Sequence, residues 1–117
     1  MSKKTFESSK AIDTRRHAAM FAALGDDTRL QILVKLRSSV PQSIKQLSSE
    51  LTVTRQAVTK HLRVLEEANF VTCETHGRER RFVARPKAIN EAQECLGIIA
   101  QQWDDALQRL KSFSERK

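Results

Sequence analysis

Apolar residues recur at helical spacing along most of the chain, and the clearest stripe lies between Thr54 and Ala68. There Val58, Leu62 and Leu65 fall at i, i+4 and i+7, one face of a helix. Gln56, Thr59, Lys60 and Arg63 follow the same spacing on another face. Just upstream, Ser43-Ile44-Lys45-Gln46 has the form of a capping box, in which Ser caps a helix start and Gln reaches back. A helix to about Leu51 follows, with Ile44, Leu47 and Leu51 inward. Thr52-Val53 makes a short turn and Thr54 caps the next helix. Two short helices joined by such a turn form a helix-turn-helix unit.

The flanks extend this pattern. A first helix fits from Asp13 or Thr14 through Leu24, apolar enough to be buried on more than one side, and Gly25 ends it. Asp26 or Asp27 caps a second, to about Arg37, with Leu30, Ile32, Leu33, Val34 and Leu36 as a broad apolar face. Ser38 to Pro41 is a break. Asn69 follows the fourth helix where a left-handed residue is needed. The runs Phe70–Thr75 and Arg80–Arg85, around a turn containing Gly77, predict a two-stranded hairpin. Pro86 closes it. A last helix spans about Ala88 to Phe113, where Leu96, Ile99, Trp103, Ala106, Leu110 and Phe113 alternate in steps of three and four. That is an a/d-like seam, on a helix too long for one small domain to cover.

The expected class is mainly α with a small β-hairpin, in the order α-α-α-α-β-β-α. Residues 1–12, polar and basic around Phe6, read as a loose arm, and residues 13–117 as one domain. Within it, residues 54–68 form the recognition helix, 70–85 the wing and 88–113 the dimerisation helix.

Charge sharpens the picture. The formal net charge is +7. Residues 1–53 and 54–87 carry +4 each, and residues 88–117 carry −1. A polyanion partner for the first parts and a protein partner for the last fit that split. Two cysteines, Cys73 and Cys95, are too few for a disulfide scaffold. The first ten residues lack the apolar run of a signal peptide, and no stretch reaches the roughly 18 apolar residues of a membrane span. The cytoplasm is the expected compartment, with no membrane contact.

On the fourth helix, Gln can pair with adenine edges, and Lys or Arg with guanine edges or phosphate. Thr54, Arg55, Gln56, Thr59, Lys60 and Arg63 are therefore candidate DNA contacts. Arg78, Arg80 and Arg81, at or beside the hairpin tip, suit a wing lying on the sugar-phosphate backbone or in the minor groove. Double-stranded DNA is the expected partner. The tail seam makes a homodimer the expected assembly. No enzyme chemistry is expected. There are 3 Gly and none forms a phosphate-cradling loop, and no Ser-His-acid set is evident. No cofactor is expected.

Leu24-Gly25-Asp26-Asp27-Thr28-Arg29-Leu30-Gln31-Ile32-Leu33, the unit from Gln46 to Leu65 and the Gly77-Arg78-Glu79 wing resemble, in order, the ArsR/SmtB family of bacterial winged-helix repressors. The resemblance covers about residues 14–113. It implies a homodimeric DNA-binding repressor whose recognition helix runs from Thr54 to Arg63. It also implies a dimer interface of the first and last helices, with Phe21 from the first and the six seam residues from the last.

Three departures narrow the expectation. Where many members carry a Cys-x-Cys pair, this chain has Ser43-Ile44-Lys45. Where others place metal-binding His and acids on the last helix, it has Glu91, Glu94, Asp104 and Asp105 but no His. Where the turn often holds Gly it has Thr52, so mild local strain is expected. Transition metals need converging soft or imidazole ligands, so no metal site is expected. His17, His61 and His76 are scattered, and His61, beside the apolar stripe, reads as a packed or capping residue. Two alternatives remain. One adds thiol-redox sensing through Cys73 and Cys95; the other is a helical interaction module that does not bind DNA. The operator, the inducer and the choice between repressor and activator are not written in the sequence.

Overall fold

A computed structural model describes residues 12–115. The predicted arm, but for Ile12, lies outside them. Five helices and a three-stranded sheet follow in the order α1 (Thr14–Leu24), α2 (Asp27–Lys35), a 3₁₀ turn (Leu36–Ser38), β1 (Gln42–Ser43), α3 (Ile44–Leu51), α4 (Arg55–Glu67), β2 (Val71–His76), β3 (Glu79–Ala84) and α5 (Pro86–Glu115).

The helix starts have side-chain causes. Asp13 accepts from Arg16 N–H, Asp26 from Arg29 N–H and Thr54 from Ala57 N–H, each satisfying an amide with no intrahelical partner. Ser43 and Gln46 form the reciprocal capping box. The stops of α3 and α4 share one geometry. Thr52 and Asn69 take φ of 57° and 66°. The amides of the next residues, Val53 and Phe70, reach back to the carbonyls of Ser48 and Leu65. Thr52 is β-branched, so its left-handed backbone is strained, as expected from the sequence. Gly25 differs: its φ is −84°, so α1 stops without a left-handed residue.

Three expectations are corrected. The hairpin is not alone: Gln42 and Ser43 pair with Phe82 and Arg81, giving the antiparallel order β1-β3-β2. Two residues after Pro41 are too few to show strand periodicity. The last helix is longer than 88–113, because Pro86 starts it; the first helical position needs no N–H. And α1 is buried on one side only. Met20 and Ala23 are inside, whereas Ala18, Ala19 and Ala22 are exposed.

Ile32, Leu36, Leu47, Val58, Leu62, Leu65, Phe70 and Phe82 form the centre of the core, each at most 2% exposed. The buried stripe of α4 thus faces α2 and α3 on one side and the base of the sheet on the other. Only the first third of α5, through Ala88, Ala92 and Cys95, packs on this core. The rest projects. The molecule measures 68 × 35 × 24 Å with a radius of gyration of 19.0 Å. A compact chain of this length has about 13 Å. No helix among the described residues is long and apolar enough to cross a membrane.

Candidate nucleic-acid interface

Arg55, Gln56, Thr59, Lys60 and Arg63 lie within ~140° of arc at about 100° per residue, on a face of α4 that begins beside its buried stripe and turns away from it. Arg55, Gln56, Lys60 and Arg63 are exposed. None of their side chains makes a hydrogen bond among the described residues, so their donors face solvent. Thr54 and Thr59 differ. The Thr54 hydroxyl caps the helix, and the half-buried Thr59 hydroxyl donates to the Arg55 carbonyl at 2.8 Å. Thr54 keeps its O–H and one lone pair for a further contact, and Thr59 keeps two lone pairs.

The hairpin separates the three arginines expected to act together. Gly77 turns the chain with φ of 66°, and Arg78 follows it, exposed at the tip. Successive residues of a strand face opposite ways. Arg80 shares a face with Phe82 and lies with Thr59, Arg63 and Glu66 around a small crevice where the sheet meets α4. Its Nε donates to Cys73 Sγ at 3.3 Å, and its guanidinium lies 5.4 Å from the Phe82 ring centre. The thiol contact pushes its pKa further up, so it stays cationic. Arg81 points to the other face, where Glu79 accepts from its Nε at 2.8 Å. That carboxylate offsets the Arg81 charge before any phosphate is met.

Four side chains acquire places that periodicity did not show. Arg29 donates through Nε to the Ala23 carbonyl at 2.6 Å and through Nη2 to the Ala22 carbonyl at 3.3 Å. Its Nη1 lies 3.2 Å from His61 Nδ1, and Asp26 Oδ2 is 3.7 Å from the same nitrogen. His61 is thus part of a polar cluster joining three helices. Only its position beside the apolar stripe hinted at this. The fourth, Glu91 on α5, takes an ion pair from Arg16 on α1 at 2.9 Å, half exposed. Cys95 is buried, whereas Cys73 is half-buried beneath Arg80. Among the described residues no three His, Cys, Asp or Glu side chains converge as a metal would require.

The seam of α5 is open to solvent. Leu96, Trp103, Leu110 and Phe113 are 55–68% exposed, with Ile99 and Ala106 partly covered. Its heptad continues back through Ala92 and Ile89 into an apolar groove shared with Leu24, Leu30, Leu33 and Val34. Phe21 is half-buried against the protomer's own core.

Comparison with known proteins agrees with this architecture. Residues 24–74 match the model of a helix-turn-helix domain. The chain is 41% identical over 71 residues to the uncharacterized HTH-type transcriptional regulator YuzN of Bacillus subtilis, covering 56% of this chain and 77% of that one. It is 31% identical over 76 residues to the arsenical resistance operon repressor of the same organism, covering 65% and 72%. Among solved structures, an ArsR-like transcriptional regulator from Rhodococcus sp. RHA1 superposes with a TM-score of 0.81 at 36% identity, over 89% of this chain and 94% of that one. The chain belongs to the ArsR family of winged-helix transcriptional regulators. As an ArsR family member it is a DNA-binding regulator and not an enzyme.

Proposed function

We propose that this chain is a repressor that binds an inverted-repeat operator in the cytoplasm as a homodimer. In this reading residues 13–117 form the functional domain. Arg55, Gln56, Lys60 and Arg63 meet base edges and phosphates in the major groove, helped by Thr54 and Thr59. Arg78 and Arg80 lie on the flanking backbone, with Arg81 contributing less because Glu79 neutralises it. One observation carries the reading: α4 buries one stripe completely and exposes an amide and cationic face, and Arg80 of the wing lines a crevice with Thr59 and Arg63 of that face. The α5 seam, exposed and apolar from Leu96 to Phe113, supports a second copy as its cover. A two-fold then repeats the α4 face about one helical turn along the duplex.

Gel shifts on the promoter of its own gene test the reading. Lys60→Ala and Arg63→Ala weaken binding, and Arg78→Ala and Arg80→Ala weaken it with less sequence dependence, each lowering the salt slope by about one unit. Binding unchanged by all four refutes it. A helical interaction module without DNA binding would leave the α4 face and the wing without a use.

A further inference from the structure

The recognition helix is held almost entirely by apolar contacts. Val58, Leu62 and Leu65 fix its distance from the core, but such contacts are non-directional and define its rotation poorly. Among the described residues, the only side-chain hydrogen bond reaching α4 from another helix is that between Arg29 and His61. Arg29 is itself clamped, because its Nε and Nη2 donate to the last carbonyls of α1. A cation there also suits the negative end of that helix. The guanidinium therefore transmits the position of the α1 end to the middle of α4, one residue from Lys60.

We propose that Arg29 and His61 are positioning residues for DNA binding, and that the link makes binding proton-dependent, with neutral His61 as the binding form. Guanidinium has donors only, so His61 Nδ1 must accept with its lone pair. That requires the tautomer with hydrogen on Nε2. An added proton goes to Nδ1, which then can no longer accept from Arg29 and faces a like charge. It has an alternative partner in Asp26 Oδ2, 3.7 Å away. The ionisable groups within hydrogen-bond or ion-pair distance of the ring, among the described residues, are Asp26, the N-cap of α2, and Arg29 in its first turn. α1 contributes only its Ala22 and Ala23 carbonyls, through Arg29. Protonation thus exchanges the Arg29 bond for the Asp26 pair and frees α4 from the end of α1. Lys60 and Arg63 move with the helix.

The inference rests on DNA binding by the α4 face, and its sign separates it from ordinary electrostatics. Protonating His17 or His76 only adds positive charge, which strengthens phosphate binding on acidification. Protonating His61 weakens it. The test uses the full chain and a labelled duplex that the wild type selects from a random-sequence pool, with affinity measured at constant ionic strength. Because only the neutral ring supports binding, affinity falls as the pH is lowered from roughly 7.5 to 5.5, by at most about tenfold per pH unit per protomer. His61→Gln does not titrate, so it loses the fall. Arg29→Ala binds more weakly at the higher pH and also loses it. The double variant His17→Gln/His76→Gln, which touches nothing in the cluster, keeps the fall. Circular dichroism checks that each variant folds. Wild-type affinity that is flat or rises on acidification overturns the inference, as does a His61→Gln protein that retains the fall, or a double variant that loses it; DNA binding by the α4 face stands in all three cases. A wild type that selects no duplex at any pH overturns that reading, and this inference with it.

Discussion

The fourth and fifth helices are built from the same periodic pattern and present opposite faces to solvent. In α4 the apolar stripe is covered, and what remains outside is Arg55, Gln56, Lys60 and Arg63. In α5 beyond Cys95 the apolar stripe itself is outside, with Trp103 and Phe113 among its most exposed members. The first arrangement is complete in one chain and offers donors to a polar partner. The second is incomplete, because a continuous apolar seam of this length is costly to leave in water. Helical periodicity alone therefore does not tell which face a helix keeps for itself. The rest of the fold decides, by covering one stripe and leaving the other.

The contrast can be broken at its strongest point. Leu62→Ala, in the covered stripe, costs about 2–5 kcal/mol of folding stability by urea denaturation. Trp103→Ala, in the open seam, leaves contacts within the protomer intact but weakens self-association by about 2 kcal/mol, or ~30-fold, in sedimentation equilibrium. Equal effects of the two on unfolding at fixed low concentration would show that α5 packs on its own chain. Next in size, Lys60→Ala or Arg63→Ala costs about 1–3 kcal/mol in binding a selected duplex, with no loss of dimer. At the turn before α4, Thr52→Gly removes a left-handed β-branched residue. It raises stability by no more than about 1 kcal/mol, since relief of strain is partly offset by the freer unfolded chain. The smallest effect is at the α2 cap. The Arg29 amide holds the Asp26 carboxyl below its ordinary value of 3.8, with His61 and the Arg29 charge acting the same way. A folded-state pKa that is depressed gives stability present above the unfolded pKa and lost as pH falls through the folded one. Asp26→Asn keeps the cap but not the charge, so acid unfolding of the variant begins less steeply below about pH 4.

Most of the helical layout was legible because its causes are local. Asp26, Ser43-Gln46 and Thr54 announce starts, Asn69 announces a stop, and Val58, Leu62 and Leu65 announce the covered stripe. The winged helix-turn-helix class and the ArsR family followed from their order. What stayed hidden depends on distant partners. β1 is two residues long and exists only because Phe82 and Arg81 lie beside it. The three wing arginines looked alike in the chain, and strand alternation together with Glu79 and Cys73 makes them unequal. His61 sits 32 residues from Arg29, and no spacing rule links them.

In the proposed assembly two α4 faces, held apart by paired tail helices, read one side of a duplex. Hydroxyl-radical footprinting of a selected duplex tests it most directly. Two protected patches centred about 10 base pairs apart on one face are expected, both lost in the Lys60→Ala/Arg63→Ala protein. A single patch, or two patches that survive those changes, would contradict it.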